Sequence, residues 1–130
     1  MSTNDEIVEK LQAIISQLNS TSNTKIDVEK LHQTASDLEN ILPQLQFETT
    51  NARIDGNWEE AKKLKEAEKE CKQALESVRA TIISSTIIGI NQDNLREMQK
   101  ILGEVDTASK TQRRIDFILA SLRFVRKFFA

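Results

Sequence analysis

The side chains that most often carry out chemistry are scarce in this sequence, which has one histidine, His32, and one cysteine, Cys71. A closed zinc site takes four nitrogen or sulfur ligands, and neither residue has a companion at ligand spacing. The sequence therefore predicts no metal site and no cofactor. As a general base, His32 would need a polar partner that the surrounding pattern does not signal. It is expected on the surface or rim. Cys71 falls on the apolar stripe of a predicted helix, while Lys69 and Lys72, which would favour a thiolate, point away from that stripe. Packing is its expected role. Glu59, Glu60, Glu66, Glu68 and Glu70 alternate with lysines as a solvated helix face does, with pairs such as Glu59 to Lys63 on the outside. No Glu-x-x-His pair, phosphate-cradling glycine loop or nucleophile elbow occurs. The expectation is a protein that is not an enzyme and takes no small-molecule substrate.

The C-terminal segment is the most informative. Residues 113–130 hold four of the five phenylalanines, and Arg113, Arg114, Arg123, Arg126 and Lys127 stand against the single acid Asp116. Ile115, Ile118, Leu119, Leu122, Val125 and Phe129 form one helical stripe, and Phe117, Phe124 and Phe128 form a second. A bundle helix needs one apolar face, so the second stripe needs a cover of its own. Arg113, Arg114, Phe117, Arg123, Phe124, Arg126, Lys127 and Phe128 are thus the candidate interaction surface. Aromatic and arginine side chains are favoured interface anchors, which points first to a protein partner or a homo-oligomer. A membrane surface is the alternative, because phenylalanines beside basic residues suit a peripheral amphipathic helix. Nucleic acid ranks last, for want of a binding motif and because the chain is acidic overall. The remaining alternative is that the aromatics are all spent in the chain's own core.

These residues need elements to position them. The chain has 130 residues, 29% charged and 38% hydrophobic, with three glycines and one proline. Near-absence of the two strongest helix breakers predicts long helices, and one domain, 1–130, is the natural division at this length. A lone cysteine fits a reducing compartment. The polar, acidic start lacks the basic and apolar regions of a signal peptide. The longest weakly charged run, 80–90, is half of the roughly 20 residues a spanning helix needs. A cytoplasmic location follows as the expectation. Charge is uneven: residues 1–56 carry nine acidic and four basic side chains, and residues 84–130 carry five acidic and eight basic. Head-to-tail association or internal packing of opposite ends would both suit that gradient.

The predicted fold is all-α: an elongated antiparallel helical bundle of four main helices, with a long central hairpin and coiled-coil-like heptads. Ile7, Val8, Leu11, Ile14, Ile15 and Leu18 mark a helix over 3–19, with Thr3 and Glu6 as a capping box. The polar run 19–24 reads as a loop. Val28, Leu31, Ala35, Leu38, Leu42, Leu45, Thr49 and Ala52 keep a heptad through Pro43, predicting a helix over 28–54 kinked at the proline. Gly56 is suited to ending it in the left-handed conformation and Asn57 to capping the next. That helix, 58–83, would bury Ala61, Leu64, Ala67, Cys71, Ala74, Leu75, Val78 and Ile82, with Trp58 covering the end of the hairpin. Residues 54–61 resemble the turn of a tetratricopeptide repeat. Lys65 and Glu68 stand where that repeat would pack, and no second copy follows, so a repeat array is rejected. The β-branched run 82–90 reads as an apolar connection over the bundle end. Met98, Ile101, Val105, Ala108, Ile115, Leu119 and Leu122 predict a last helix over 92–129, kinked or broken near 106–110.

Overall fold

The computed structural model describes residues 3–19, 28–84, 92–104 and 113–129, all of them helical apart from short turns. Five helices follow in chain order: α1 (Thr3–Asn19), α2 (Val28–Ile54), α3 (Trp58–Ser84), α4 (Gln92–Gly103) and α5 (Arg113–Phe129). The protein is an all-α helical bundle, with no strand among the described residues. None of its described helices is long and apolar enough to cross a membrane.

The α2–α3 hairpin is the most extensive helix pairing, followed by α3 with α5. The turn between α2 and α3 has a specific chemistry. Gly56 takes φ 74°, its N–H donates to the carbonyl of Arg53, and the Asn57 N–H donates to that of Ala52. This six-to-one and five-to-two pair is a Schellman cap, which satisfies carbonyls the helix end would otherwise leave open. The Asn57 side-chain amide then donates to Glu60 at 2.7 Å across the first turn of α3. A methyl group on Gly56 would meet nothing within 4 Å. Gly56→Ala should therefore cost only the left-handed backbone penalty, about 1–2 kcal/mol, as a shift in urea midpoint with an unchanged slope.

Pro43 lies inside α2, which continues through it to Ile54, as the unbroken register predicts. The heptad fits the observed face imperfectly. Leu31, Ala35, Leu38, Leu45, Thr49 and Ala52 are buried, but Val28 is exposed, Leu42 is only half-buried, and Ile41 and Thr34 are fully covered. A straight helix turns 3.6 residues per turn and drifts from a strict seven-residue repeat, so the buried arc wanders. Thr34 can face inward because its hydroxyl donates to the carbonyl of Lys30 at 2.8 Å.

The other helices complete a ring. α1 packs on α2 and α5, and α5 packs on α3, so α1, α2, α3 and α5 enclose one core with α4 laid against α1 and α5. All six apolar residues expected on α1 are buried. The α3 stripe is likewise inside, except that Ile82 is half-buried. Lys63 pairs with Asp116, Glu66 with Arg123, and Glu70 with Arg126. Both residue numbers rise together along these pairs, so α3 and α5 run parallel.

The last helical region is divided. α4 ends at Gly103 and α5 begins at Arg113, on either side of the expected break near 106–110. Among the described residues there are thus five helices, where the pattern suggests four. Val105, Ala108 and the break itself lie outside the described residues, as do the 19–24 loop beyond Asn19 and most of the 82–90 connection.

Candidate docking surface

The C-terminal helix is placed by what surrounds it. α5 touches three helices, α1, α3 and α4, so an apolar arc wider than one face is what its position uses. Phe117 is 4% exposed and Phe124 is 3% exposed, alongside buried Ile115, Ile118, Leu119, Leu122, Val125 and Phe129. Phe128 is half-buried against the same core. Its ring lies 5.7 Å from that of Phe124 and 5.0 Å, edge-on, from that of Phe129. Neither Phe117 nor Phe124 faces solvent in this fold.

The basic residues of α5 divide the same way. Arg126 hydrogen-bonds and ion-pairs with Glu70. Arg123 lies 3.7 Å from Glu70 and 3.8 Å from Glu66. Lys127 is exposed and Arg114 half-buried. Of Arg113 only the backbone is described, at the first position of α5.

This arrangement changes the reading of α3. Two of its carboxylates leave the solvated face on which the lysines stand, whereas Glu59 and Glu76 remain exposed on it. Glu68 and Glu70 are buried. Glu68 accepts a hydrogen bond from the Thr49 hydroxyl at 2.8 Å, and that hydroxyl also lies 2.8 Å from the carbonyl of Leu45. One hydroxyl hydrogen serves one acceptor at a time, so the two share it. Glu66 and Glu70 are held by α5. Lys63 bonds Asp116 at 3.1 Å, and that hydrogen bond and charge, more than Glu59 or Glu60, raise its ammonium above the ordinary value. The expected Glu59 to Lys63 pair is thus displaced by a contact to α5.

What remains outside is a row of cations. Lys62, Lys65, Lys69 and Lys72 are exposed, and no ion pair engages any of them among the described residues. At spacings of three and four they share one helix face. Trp58 heads the same face and is 67% exposed. The expectation that Trp58 covers the hairpin end is corrected. Seven residues before Lys65, it falls on the outer face of α3, opposite the stripe that begins at Ala61. Arg53, Trp58, Lys62, Lys65 and Lys69 line one shallow depression together with Glu66. The sequence signal for this row is its spacing; the burial of Glu68 and Glu70, which removes two of the alternating carboxylates from the same surface, is visible only in the packed helices.

The candidate reactive groups have structural surroundings. Cys71 is buried, its thiol 3.4 Å from the carbonyl of Leu38, and desolvation pushes its pKa up to about 12. A thiol so placed is protonated at neutral pH and a poor nucleophile. In the native protein Cys71 should react with a maleimide only as fast as the bundle opens, and promptly in denaturant. Prompt labelling of the native chain would contradict its placement. His32 is exposed on α2. Among the described residues no group of three or more histidine, cysteine, aspartate or glutamate side chains is arranged to hold a metal ion. The chain matches no family model, and no curated protein or solved structure was found to be similar to it.

Proposed function

We propose that this chain is a non-catalytic protein-interaction or assembly module of the cytoplasm, and that it docks through the outer surface of the α2–α3 hairpin. One observation carries the reading. Val28, Phe47, Ile54, Trp58 and Ile83, the large apolar side chains left exposed among the described residues, all belong to α2 or α3. Phe47 and Ile54 stand seven residues apart on one face of α2, and Trp58 follows across the turn. Apolar side chains that gain nothing from the fold are the ordinary material of an interface. The aromatics of α5 support the bundle instead. The non-catalytic character is supported by the inert surroundings of Cys71 and the solitary, exposed position of His32.

The test is selective loss of partners. Wild-type protein and a Phe47→Glu/Ile54→Glu variant are used as bait in native extract, with thermal melting as the folding control. Because both side chains are exposed, the variant should melt as wild type does and lose the proteins that wild type retains. Retention of the same set would contradict a docking role for the hairpin. Loss on Arg114→Glu/Lys127→Glu instead would return the interface to α5.

A further inference from the structure

We propose that the outer face of α3, from Trp58 to Lys72, receives an acidic segment of a protein partner. This rests on the reading of the hairpin as a docking element and names the chemistry of what docks. Charge complementarity supports it. Lys62, Lys65, Lys69 and Lys72 run about 21 Å along α3 from Trp58 at 1.5 Å per residue, with Arg53 added from the end of α2 in the same depression. Their apparent partners on α3 are engaged elsewhere: Glu66 and Glu70 by α5, and Glu68 by Thr49. The fold thus draws Glu68 and Glu70 inward while the lysines stay outside, with Glu66 and Glu76 left at the edge of the row. An anionic occupant would complement that row, which solvent and salt otherwise screen. Trp58 at its head offers a large ring, which an aliphatic or aromatic side chain would cover.

Three anionic occupants are conceivable, and the geometry favours the peptide. If α3 lay flat on a bilayer, no apolar side chain between Lys62 and Lys72 would insert on that face. If the hairpin stood upright on its turn, Lys69 and Lys72 would lie about 17–21 Å from the surface, beyond the roughly 8 Å screening length at physiological salt. Exposed Asp55 and Glu59 beside Trp58 would also oppose an anionic surface. For nucleic acid, Glu66 in the depression and Glu76 at the far end of the row interrupt what would have to be a continuous phosphate track. The chain as a whole is also acidic, at −2. A peptide can place carboxylates at the lysines and leave gaps opposite Glu66 and Glu76.

Trp58 is the chain's single tryptophan, so the site carries its own reporter. The probe is a labelled, tryptophan-free helical peptide whose glutamates repeat at the lysines' spacing and which ends in leucine. Binding is read by its anisotropy and by Trp58 emission. The expected result is saturable binding that shifts Trp58 emission and weakens at least about tenfold between low and about 0.5 M salt. Lys65→Glu/Lys69→Glu should remove that binding, while Lys65→Gln/Lys69→Gln weakens it and both variants melt as wild type. The proposal is overturned by absence of saturable binding at low salt, or by equal binding to the reversal variant. Tighter binding of a single-stranded oligonucleotide or of phosphatidylserine vesicles than of the peptide also overturns it. Loss of native partners on Phe47→Glu/Ile54→Glu without peptide binding would overturn the acidic occupant and leave the hairpin reading standing.

Discussion

Phe124→Ala is expected to lower the free energy of unfolding by about 3–5 kcal/mol, the range for truncating a buried phenylalanine to alanine. Phe124 is 3% exposed, and its ring leans on that of Phe128 at 5.7 Å. Truncation removes apolar area from the core and leaves a cavity that α5, held by three neighbouring helices, cannot easily collapse into. The loss should appear as a lower urea midpoint and a melting temperature reduced on the order of 10 °C. Phe128→Ala, at a half-buried position, should cost less, about 1–2 kcal/mol. A Phe124→Ala protein within about 1 kcal/mol of wild type would mean that the ring does not contribute to the core. Such a result would return Phe124 to the list of candidate surface residues, with Phe117 beside it.

The second large effect is electrostatic. Arg123→Ala/Arg126→Ala should destabilise the protein by about 3 kcal/mol, at the lower edge of the cost of breaking a buried ion pair. The cost resides in Glu70, whose side chain is 8% exposed while Arg126 is 31% exposed and Arg123 46%. The arginines can turn to water when a partner is lost; the carboxylate cannot. Adding Glu70→Leu to the double variant should therefore recover most of the loss, since an apolar side chain leaves no uncompensated charge. No recovery would place the cost in the packing of the arginine stems. Either single arginine variant should cost much less, because the other guanidinium remains within reach of Glu70.

Both expectations concern α5, where pattern alone left the alternatives open. Its two apolar stripes are legible in the sequence. Their cover is not, because periodicity reports how much of a helix is apolar and not how many neighbours it has. Three neighbours use an arc that one neighbour would leave bare. The helices themselves were legible for the reasons that make them helices: few breakers, a left-handed glycine at residue 56, and apolar spacing of three and four. α1 shows the same clarity, with every expected core residue inside. Pro43 was placed correctly within α2 because the apolar register on its two sides agrees.

The carboxylates of α3 mark the limit of such reading. Glu59, Glu66, Glu68 and Glu70 look alike in an alternating Glu–Lys run, and local pairing is the natural inference. The parallel α5 brings Asp116, Arg123 and Arg126 alongside α3, and α2 presents the Thr49 hydroxyl. These tertiary partners outcompete local ones worth a few tenths of a kcal/mol. A residue's own helix does not reveal that competition, so the lysine row and the exposure of Trp58 emerge only from the packed structure.

α5 is spent inside the bundle, and the proposed docking surface is therefore the outer face of the hairpin. Hydrogen exchange of the full chain, followed peptide by peptide, tests the placement of α5 most directly. If α5 is a wall of the core, amides of 113–129 exchange together with those of α3, in the slow phase set by opening of the whole bundle. Exchange of 113–129 within seconds, while α2 and α3 stay protected, would show a helix that is not held by the core and would contradict the account.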